Sequence, residues 1–553
     1  MTKRFLSRMS TANTWSYIIL VVFITAYAVA MLVEPGFGPN DDFWLLSTLQ
    51  VGQPAPVHDA NFPFYDARET GRFIPLTVQE LNIIARLFGT DPFWYFAFNV
   101  LQLLVVIVLL VAMLRRVAPN AIVVAVAIVL LMLTPGFVEA WFRMALQERN
   151  VFFYLALFLF FYWLDRESAK WWKYALALLS ANVALYYKEP VFAAIGAFAG
   201  ASLLFRWRYS STMEKLKDAM LILSAVMFVA LYIDYAFPHH GPWGHSFNPY
   251  PYWLVLTKTV LNYAFFSDPV VVLLVLPLTL WRFYALVATN GREIATIYDS
   301  MLFAASGYAL VFFALNIYGS YYFVPTYVFA TPAVLYFMPR LIMSSGRYWK
   351  AASVIAAIVL MVNTLPAGLQ MLTYTKYVII NIDKTVDFLV SDMPTRGRNE
   401  RMNIFLYGVE QGSQAYFILG EFLKYKGLPY EAFDLRSDLA ARCSPRCYQV
   451  LRPELARRYT VYHEGKLPEV QVGDYLVVSS WSEKDFVMTA AFEKQYKLLF
   501  RTNSPLHVPG IDLKSLVKRV IIKRMGDSAK STGLVVHARV DMDPDYHVYV
   551  RTQ

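Results

Sequence analysis

Long apolar runs recur along the first two-thirds of this chain, and nothing constrains its fold more. The runs reach roughly 12–22 residues, the longer of them about enough to cross a hydrocarbon core at 1.5 Å per residue. Of the 553 residues, 57% are hydrophobic and only 16% are charged. A water-soluble chain of that length needs far more polar surface. The fold class is therefore a polytopic α-helical membrane protein. The net charge of +10 does not point to nucleic acid, because most basic residues sit in short turns between runs, as the positive-inside rule requires. No Walker loop, dinucleotide fingerprint or zincin helix is present.

The runs read as about eleven spans, with the N-terminus held inside by Lys3, Arg4 and Arg8. The first is Ser16–Val33. Ala28-Val29-Ala30 has the form of a cleavage site, but the run continues through Met31, Leu32 and Val33, so cleavage is not expected. The others are Phe93–Leu114, Ala121–Phe137, Val151–Leu164, Tyr174–Tyr187, Val191–Phe205, Ala219–Phe237, Val270–Trp281, Met301–Tyr318, Tyr322–Pro339 and Ala351–Leu372. Trp253–Ser267 carries Lys258 and Asn262 and reads as interfacial. Between the first two spans, Val78–Phe88 has the spacing of an amphipathic helix lying on the interface. This arrangement divides the chain into a transmembrane domain, 1–372, and an extracytoplasmic domain, 373–553. In the latter, Asn403–Tyr407, Tyr475–Val478, Tyr496–Phe500 and His547–Val550 read as strands, the last closing the sheet. Gln411–Lys426 and Glu483–Glu493 read as helices. That alternation predicts a small α/β domain. Its two cysteines, Cys443 and Cys447, form either a small disulfide or two free thiols.

Ionisable residues at the ends of spans are costly to desolvate, so several gathered on one face mark a site. Asp41 and Asp42 follow the first span, and Lys188 and Glu189 sit at a Pro190 break between two later ones. The topology above puts both pairs on the outer face. Asp41-Asp42 can cap a helix, act as a general base beside a second acid, or ligate a hard cation such as magnesium or manganese. Arg72 either binds a phosphate through its guanidinium or snorkels to lipid headgroups. Lys188 and Glu189 are a local ion pair or a phosphate-stabilising group beside Tyr187. Glu139, Arg143, Glu148 and Arg149 pair with one another or line a cavity. His239 and His240, in a Pro/Gly loop, are ligands or acid/base groups. Tyr318, Tyr321 and Tyr322 fit an interfacial belt or a sugar-stacking platform.

In order along the chain, these segments resemble the GT-C membrane glycosyltransferases, in particular the transmembrane O-mannosyltransferases with tetratricopeptide tails and their bacterial relatives. The matching residues are the acidic pair Asp41-Asp42, the stretch Arg72-Phe73-Ile74-Pro75-Leu76-Thr77, Asn99, the turn Pro135-Gly136-Phe137-Val138-Glu139-Ala140, and Lys188-Glu189. The resemblance covers roughly the first 200 residues. Phe73 and Ile74 interrupt the family's Arg-Pro pairing, and no repeats follow. The resemblance implies a transferase that takes a sugar from a polyprenyl-phosphate donor to a glycan, lipid or protein acceptor, without a nucleotide. It further implies a bacterial inner membrane, with the site on the periplasmic side. Asp41 would be the base and Asp42 its helper or a metal ligand. Lys188 and Arg72 would hold the donor phosphate and Glu189 would position Lys188. Glu139, Tyr187 and His239 would line the cavity. The alternative is a flippase for a lipid-linked glycan, which shares the polar cavity but needs no base. A third class is a ligase or acyltransferase on another multispan fold.

Overall fold

The computed structural model describes residues 2–38, 72–77, 79–168, 170–236, 251–288, 295–317, 319–344, 346–395, 402–410, 414–439, 470–479, 486, 488–510, 515–517, 520, 524 and 543–553. Most of it is helix. In chain order the helices are α1 (Thr2–Leu32), α2 (Gln79–Phe88), α3 (Pro92–Val117), α4 (Ala121–Met132), α5 (Pro135–Phe142), α6 (Gln147–Ser168), α7 (Trp171–Tyr187) and α8 (Val191–Arg206). They continue with α9 (Thr212–Tyr235), α10 (Tyr252–Asn262), α11 (Leu276–Ala288), α12 (Ile297–Ala314), α13 (Thr326–Ser344) and α14 (Arg347–Thr395).

Among the described residues, six helical segments are long and apolar enough to cross a membrane, and the bent pair α4–α5 would make a seventh. The protein is thus an integral membrane protein; the eleventh expected span lies within α14, and among the described residues several of the other expected spans are not of that length. The reason is physical. At about 1.5 Å per residue, α7 and α8 fall short of a core about 30 Å thick. Helix α6 is long enough, but Glu148 and Arg149 at one end and Asp165 and Arg166 at the other shorten its apolar stretch. The expected third span bends by 65° between α4 and α5. Thr134 is extended there (φ −68°, ψ 136°), as a residue before proline prefers, and α5 restarts at Pro135, which has no N–H to donate.

Two glycines permit close crossings around this kink. A Cβ at Gly136 would lie 2.1 Å from the Ser320 carbonyl oxygen, and one at Gly368 of α14 would lie 1.7 Å from the Leu133 carbonyl oxygen. Only glycine fits at either place.

Helix α2 is amphipathic as expected, with Leu81, Ile84 and Ala85 buried. Its last residue, Phe88, is instead exposed and stacks on Trp94 at 4.4 Å. The segment 252–267 is helical, entering a π-turn at Tyr263–Ser267, and is not among the helices long and apolar enough to cross.

Helix α14 continues through residue 372 without a break, so the expected domain boundary falls inside one helix. Beyond it lie β1 (Met402–Glu410), α15 (Gln414–Tyr425), β2 (Phe433–Leu439), β3 (Tyr475–Val478), α16 (Ala490–Gln495), β4 (Tyr496–Arg501) and β5 (His547–Arg551). The sheet order is β2-β1-β3-β5-β4. Strand β1 runs parallel to β2 and β3, and β5 is antiparallel to β3 and β4. The α/β reading holds, but β5 lies inside the sheet and β4 forms the edge. The helix expected at Glu483–Glu493 begins only at Ala490, and 480–485 and 487 lie outside the described residues, as do Cys443 and Cys447.

The sheet is fastened to α14. Asn381 donates to Ser504, to the Pro544 carbonyl and to Asp545 at 2.9–3.0 Å. Phe388 stacks on Phe500 at 4.7 Å, and Lys426 bridges Asp383 and Asp387 at 2.8 and 2.9 Å. The domain also meets the bundle directly. The Tyr425 hydroxyl donates to the Thr90 carbonyl at 3.0 Å, and the Phe37 ring touches Tyr95 and Tyr425.

Candidate active site

Charged residues separate to the two ends of the bundle. Helix α6 shows this by itself, with Glu148 and Arg149 at its start and Asp165 and Arg166 at its end, about 25 Å apart by helix rise. At the second end, structural ion pairs staple neighbouring helices. Arg166 meets Glu214 at 2.8 Å, Lys217 meets Asp165, and Arg282 meets Asp299 at 2.7 Å. Arg115 and Arg116 also close α3 there.

The first end holds a different kind of cluster. Residues 72–77 dock on the tip between α7 and α8. Leu76 N–H donates to the Tyr186 carbonyl at 3.2 Å and the Thr77 hydroxyl to the Tyr187 carbonyl at 3.1 Å. Phe73 is the anchor, 2% exposed and stacked 5.9 Å from Tyr235. This fixes the neighbouring Arg72, whose Nε and Nη2 each donate to one oxygen of Glu189 at 3.0 Å. Burial pushes the Glu189 carboxyl up, but Arg72 more than reverses this and holds it below its ordinary range. The Arg72 side chain stays 39% exposed.

Lys188 is the C-cap of α7 and is extended (φ −159°, ψ 132°). Its ammonium is buried, donates to Glu148, and lies 4.8 Å over the Tyr322 ring. The expected partnership of Glu189 with Lys188 is thus replaced: Glu189 chelates Arg72, and Glu148 holds Lys188. Glu148 and Arg149 do not pair with each other either, since consecutive helical residues point in different directions.

Arg149 is fully buried. It lies 3.5 Å from Glu80 of α2 and donates to Gln102 at 3.0 Å and to the Met144 carbonyl at 3.1 Å. Glu80 also accepts from Asn150 and, at 3.1 Å, from the Tyr187 hydroxyl. Burial nevertheless keeps the Glu80 carboxyl above its ordinary value. Tyr187, expected to line a cavity, is a buried wall stacked 5.5 Å from Tyr154.

On the third side, Glu139 of α5 is held by Arg143 at 2.5 Å and by the Ser320 hydroxyl at 2.6 Å. The glycine at 136 lets the Ser320 backbone come this close. The next residues along, Tyr321 and Tyr322, sit over Arg143 and Lys188 respectively.

The structure therefore brings Arg72, Glu139, Tyr187, Lys188 and Glu189 together at one end. Asp41, Asp42 and His239 lie outside the described residues, although α1 delivers the chain to this same end at Phe37. Sequence reasoning missed Glu80, Gln102 and Asn150. The signal was present, since polar side chains beside apolar runs must find partners. Among the described residues, no three His, Cys, Asp or Glu groups converge in a way that could hold a metal, so these residues alone do not form a divalent site.

The cluster balances four cations (Arg72, Arg143, Arg149 and Lys188) against four carboxylates (Glu80, Glu139, Glu148 and Glu189). Arg72 is distinct in being the most exposed of the four, 39%, while its Nε and Nη2 are held by Glu189. Chemically, the arrangement suits an anion that arrives from the lipid side and exchanges with, or bridges to, the Glu189 carboxylate.

No protein-family model and no curated protein matches the chain. Among the solved structures similar to it are two of ArnT from Cupriavidus metallidurans, one bound to undecaprenyl phosphate and one in the apo state. Each is 12% identical and covers 85% of this chain and 93% of that chain, at TM-scores of 0.42 and 0.45 respectively. At that depth the likeness carries no argument about chemistry.

Proposed function

We propose that this protein is a GT-C-type membrane glycosyltransferase, which moves a sugar from a polyprenyl phosphate to a glycan, lipid or protein acceptor on the non-cytoplasmic face. The observation that carries this reading is the pair of cations at the α7–α8 tip. Arg72 is aimed by Glu189 and half-open at the interface, and Lys188 is buried behind it on Glu148. The basic helix ends lie at the opposite end of the bundle, and the positive-inside rule makes this a support for reading the tip as the outer one.

In this reading a lipid-borne donor enters laterally and its phosphate meets Arg72. Asp41 takes the proton of the acceptor hydroxyl, whose oxygen bonds to the anomeric carbon. The bond from that carbon to the phosphate oxygen breaks, and the phosphate leaves with the electron pair. Arg72 and Lys188 stabilise the charge that gathers on it. Asp42 orients the acceptor, and Glu139, held by Arg143 and Ser320, forms a wall. The sheet domain covers this end and helps choose the acceptor. A bacterial inner membrane is the setting we infer.

The test is purified protein supplied with a labelled polyprenyl-phosphate sugar and a panel of acceptors. Label on an acceptor together with free polyprenyl phosphate is the expected result. Movement of the intact donor between leaflets, without bond exchange, would identify a flippase instead.

A further inference from the structure

The α4–α5 kink borders a second cavity, its wall largely apolar but bearing the side-chain oxygens of Thr134, Asp268, Tyr327, Asn363 and Thr364. None of Arg72, Glu139, Lys188 or Glu189 lines it. Its volume of about 30 Å³ accommodates a small ion or a water or two and excludes a sugar ring.

Asp268 is the charged member. It is 7% exposed and sits between two π-helical turns, Tyr263–Ser267 and Val271–Val275, a backbone form that gathers at functional sites. Its Oδ1 accepts from the Tyr327 hydroxyl at 2.7 Å and from Val271 N–H at 3.3 Å. Neither partner is a cation, and no other residue lining the cavity is charged at neutral pH. The titratable groups that face Asp268 are the phenols of Tyr327 and Tyr263. An ionised carboxylate buried against such partners is poorly compensated. It keeps a proton or recruits a counter-ion, and burial does push its carboxyl up to about 6. At physiological pH a counter-ion becomes the remaining route to neutrality.

We propose that this cavity is a monovalent-cation site of sodium size, with Asp268 as the charged ligand and the side-chain oxygens of Thr134, Asn363 and Thr364 completing an all-oxygen shell. Hard cations take such ligands, and a divalent ion draws on more carboxylate charge than the single acid here provides. The Thr134 hydroxyl spends its proton on the Leu131 carbonyl at 2.9 Å, which leaves its lone pairs available. A bound ion would tie the Asp268 break and α14 to the kink that carries Glu139. The inference is independent of the glycosyltransferase reading.

The test is thermal unfolding of the purified full chain in detergent at pH 8, at constant ionic strength, in sodium chloride or choline chloride. Sodium should raise Tm by several degrees along a saturating curve. Asp268→Asn should abolish that response, and Thr364→Val should move its midpoint several-fold higher. Equal Tm in both salts, or a sodium response intact in Asp268→Asn, would overturn the proposal. Should Asp268→Asn fail to fold, binding of radioactive sodium to the wild-type chain decides. Saturation near one ion per chain supports the site, and no saturable binding overturns it.

Discussion

Lys188 and Glu148 are the most tightly committed residues of the site, because each is buried on the other. Removing one partner leaves an uncompensated charge, which costs about 3–5 kcal/mol, whereas removing both can be nearly neutral. Glu148→Gln should therefore lower Tm sharply, and the Lys188→Met/Glu148→Gln double variant should recover most of the loss. Additive effects in a thermal-shift series would show that the two do not interact. Arg72 makes a different prediction, because it is half-open. Arg72→Ala should lower Tm less than Glu148→Gln does, because the Arg72–Glu189 pair is part-exposed, yet raise the donor KM roughly 10- to 100-fold, the scale of a charge-assisted hydrogen bond. Arg72→Lys should rescue little, since an ammonium cannot span both Glu189 oxygens and a phosphate. Asp268 sets a pH dependence. Its folded-state carboxyl titrates at about 6, above the ordinary aspartate value, so the folded chain binds the extra proton. Stability from this group is fully present below about pH 4 and is lost as pH rises through about 6. Without sodium, the free energy of unfolding should fall across that window by an amount on the order of 2–3 kcal/mol, seen as a falling Tm, and Asp268→Asn should flatten the fall.

At the scale of elements, the α4–α5 kink depends on what is missing from two side chains. Gly136→Ala and Gly368→Ala each place a methyl group inside a carbonyl contact, at 2.1 and 1.7 Å. Both should lower expression and Tm by several degrees. Gly200→Ala on α8 meets nothing within 4 Å and should be neutral or slightly stabilising, because alanine is the better helix former by about 1 kcal/mol. If all three behave alike in a fluorescence-detected melting assay, the close-crossing account fails. These crossings also show where sequence reasoning ends. The α7–α8 break was legible, because Lys188-Glu189-Pro190 interrupts two apolar runs. The α2 helix was legible from its spacing, and four strands from short apolar runs. The bend at Thr134 was not, although Pro135 announced it, because a run from Ala121 to Phe137 reads equally well as one straight span. Strand β2 was missed even though Phe433, Leu435 and Ser437 are buried on alternate positions. Its charged intervening residues looked like loop. Pairings were the least legible layer. Adjacent Glu and Arg, or Lys and Glu, suggest local ion pairs, whereas the fold sends each to a different element.

Over the whole molecule, one end of the bundle carries structural ion pairs and basic helix ends. The other carries the Arg72–Lys188 cluster, with the sheet domain seated near it through Tyr425 and Phe37. Lipid-phosphate binding should therefore depend on one end only. The most direct measurement is equilibrium binding of a polyprenyl phosphate to purified protein in nanodiscs, comparing wild type, Arg72→Ala and Arg115→Ala. The account predicts saturable binding, weakened at least tenfold by Arg72→Ala and unchanged by Arg115→Ala. Equal affinity in wild type and Arg72→Ala would contradict it.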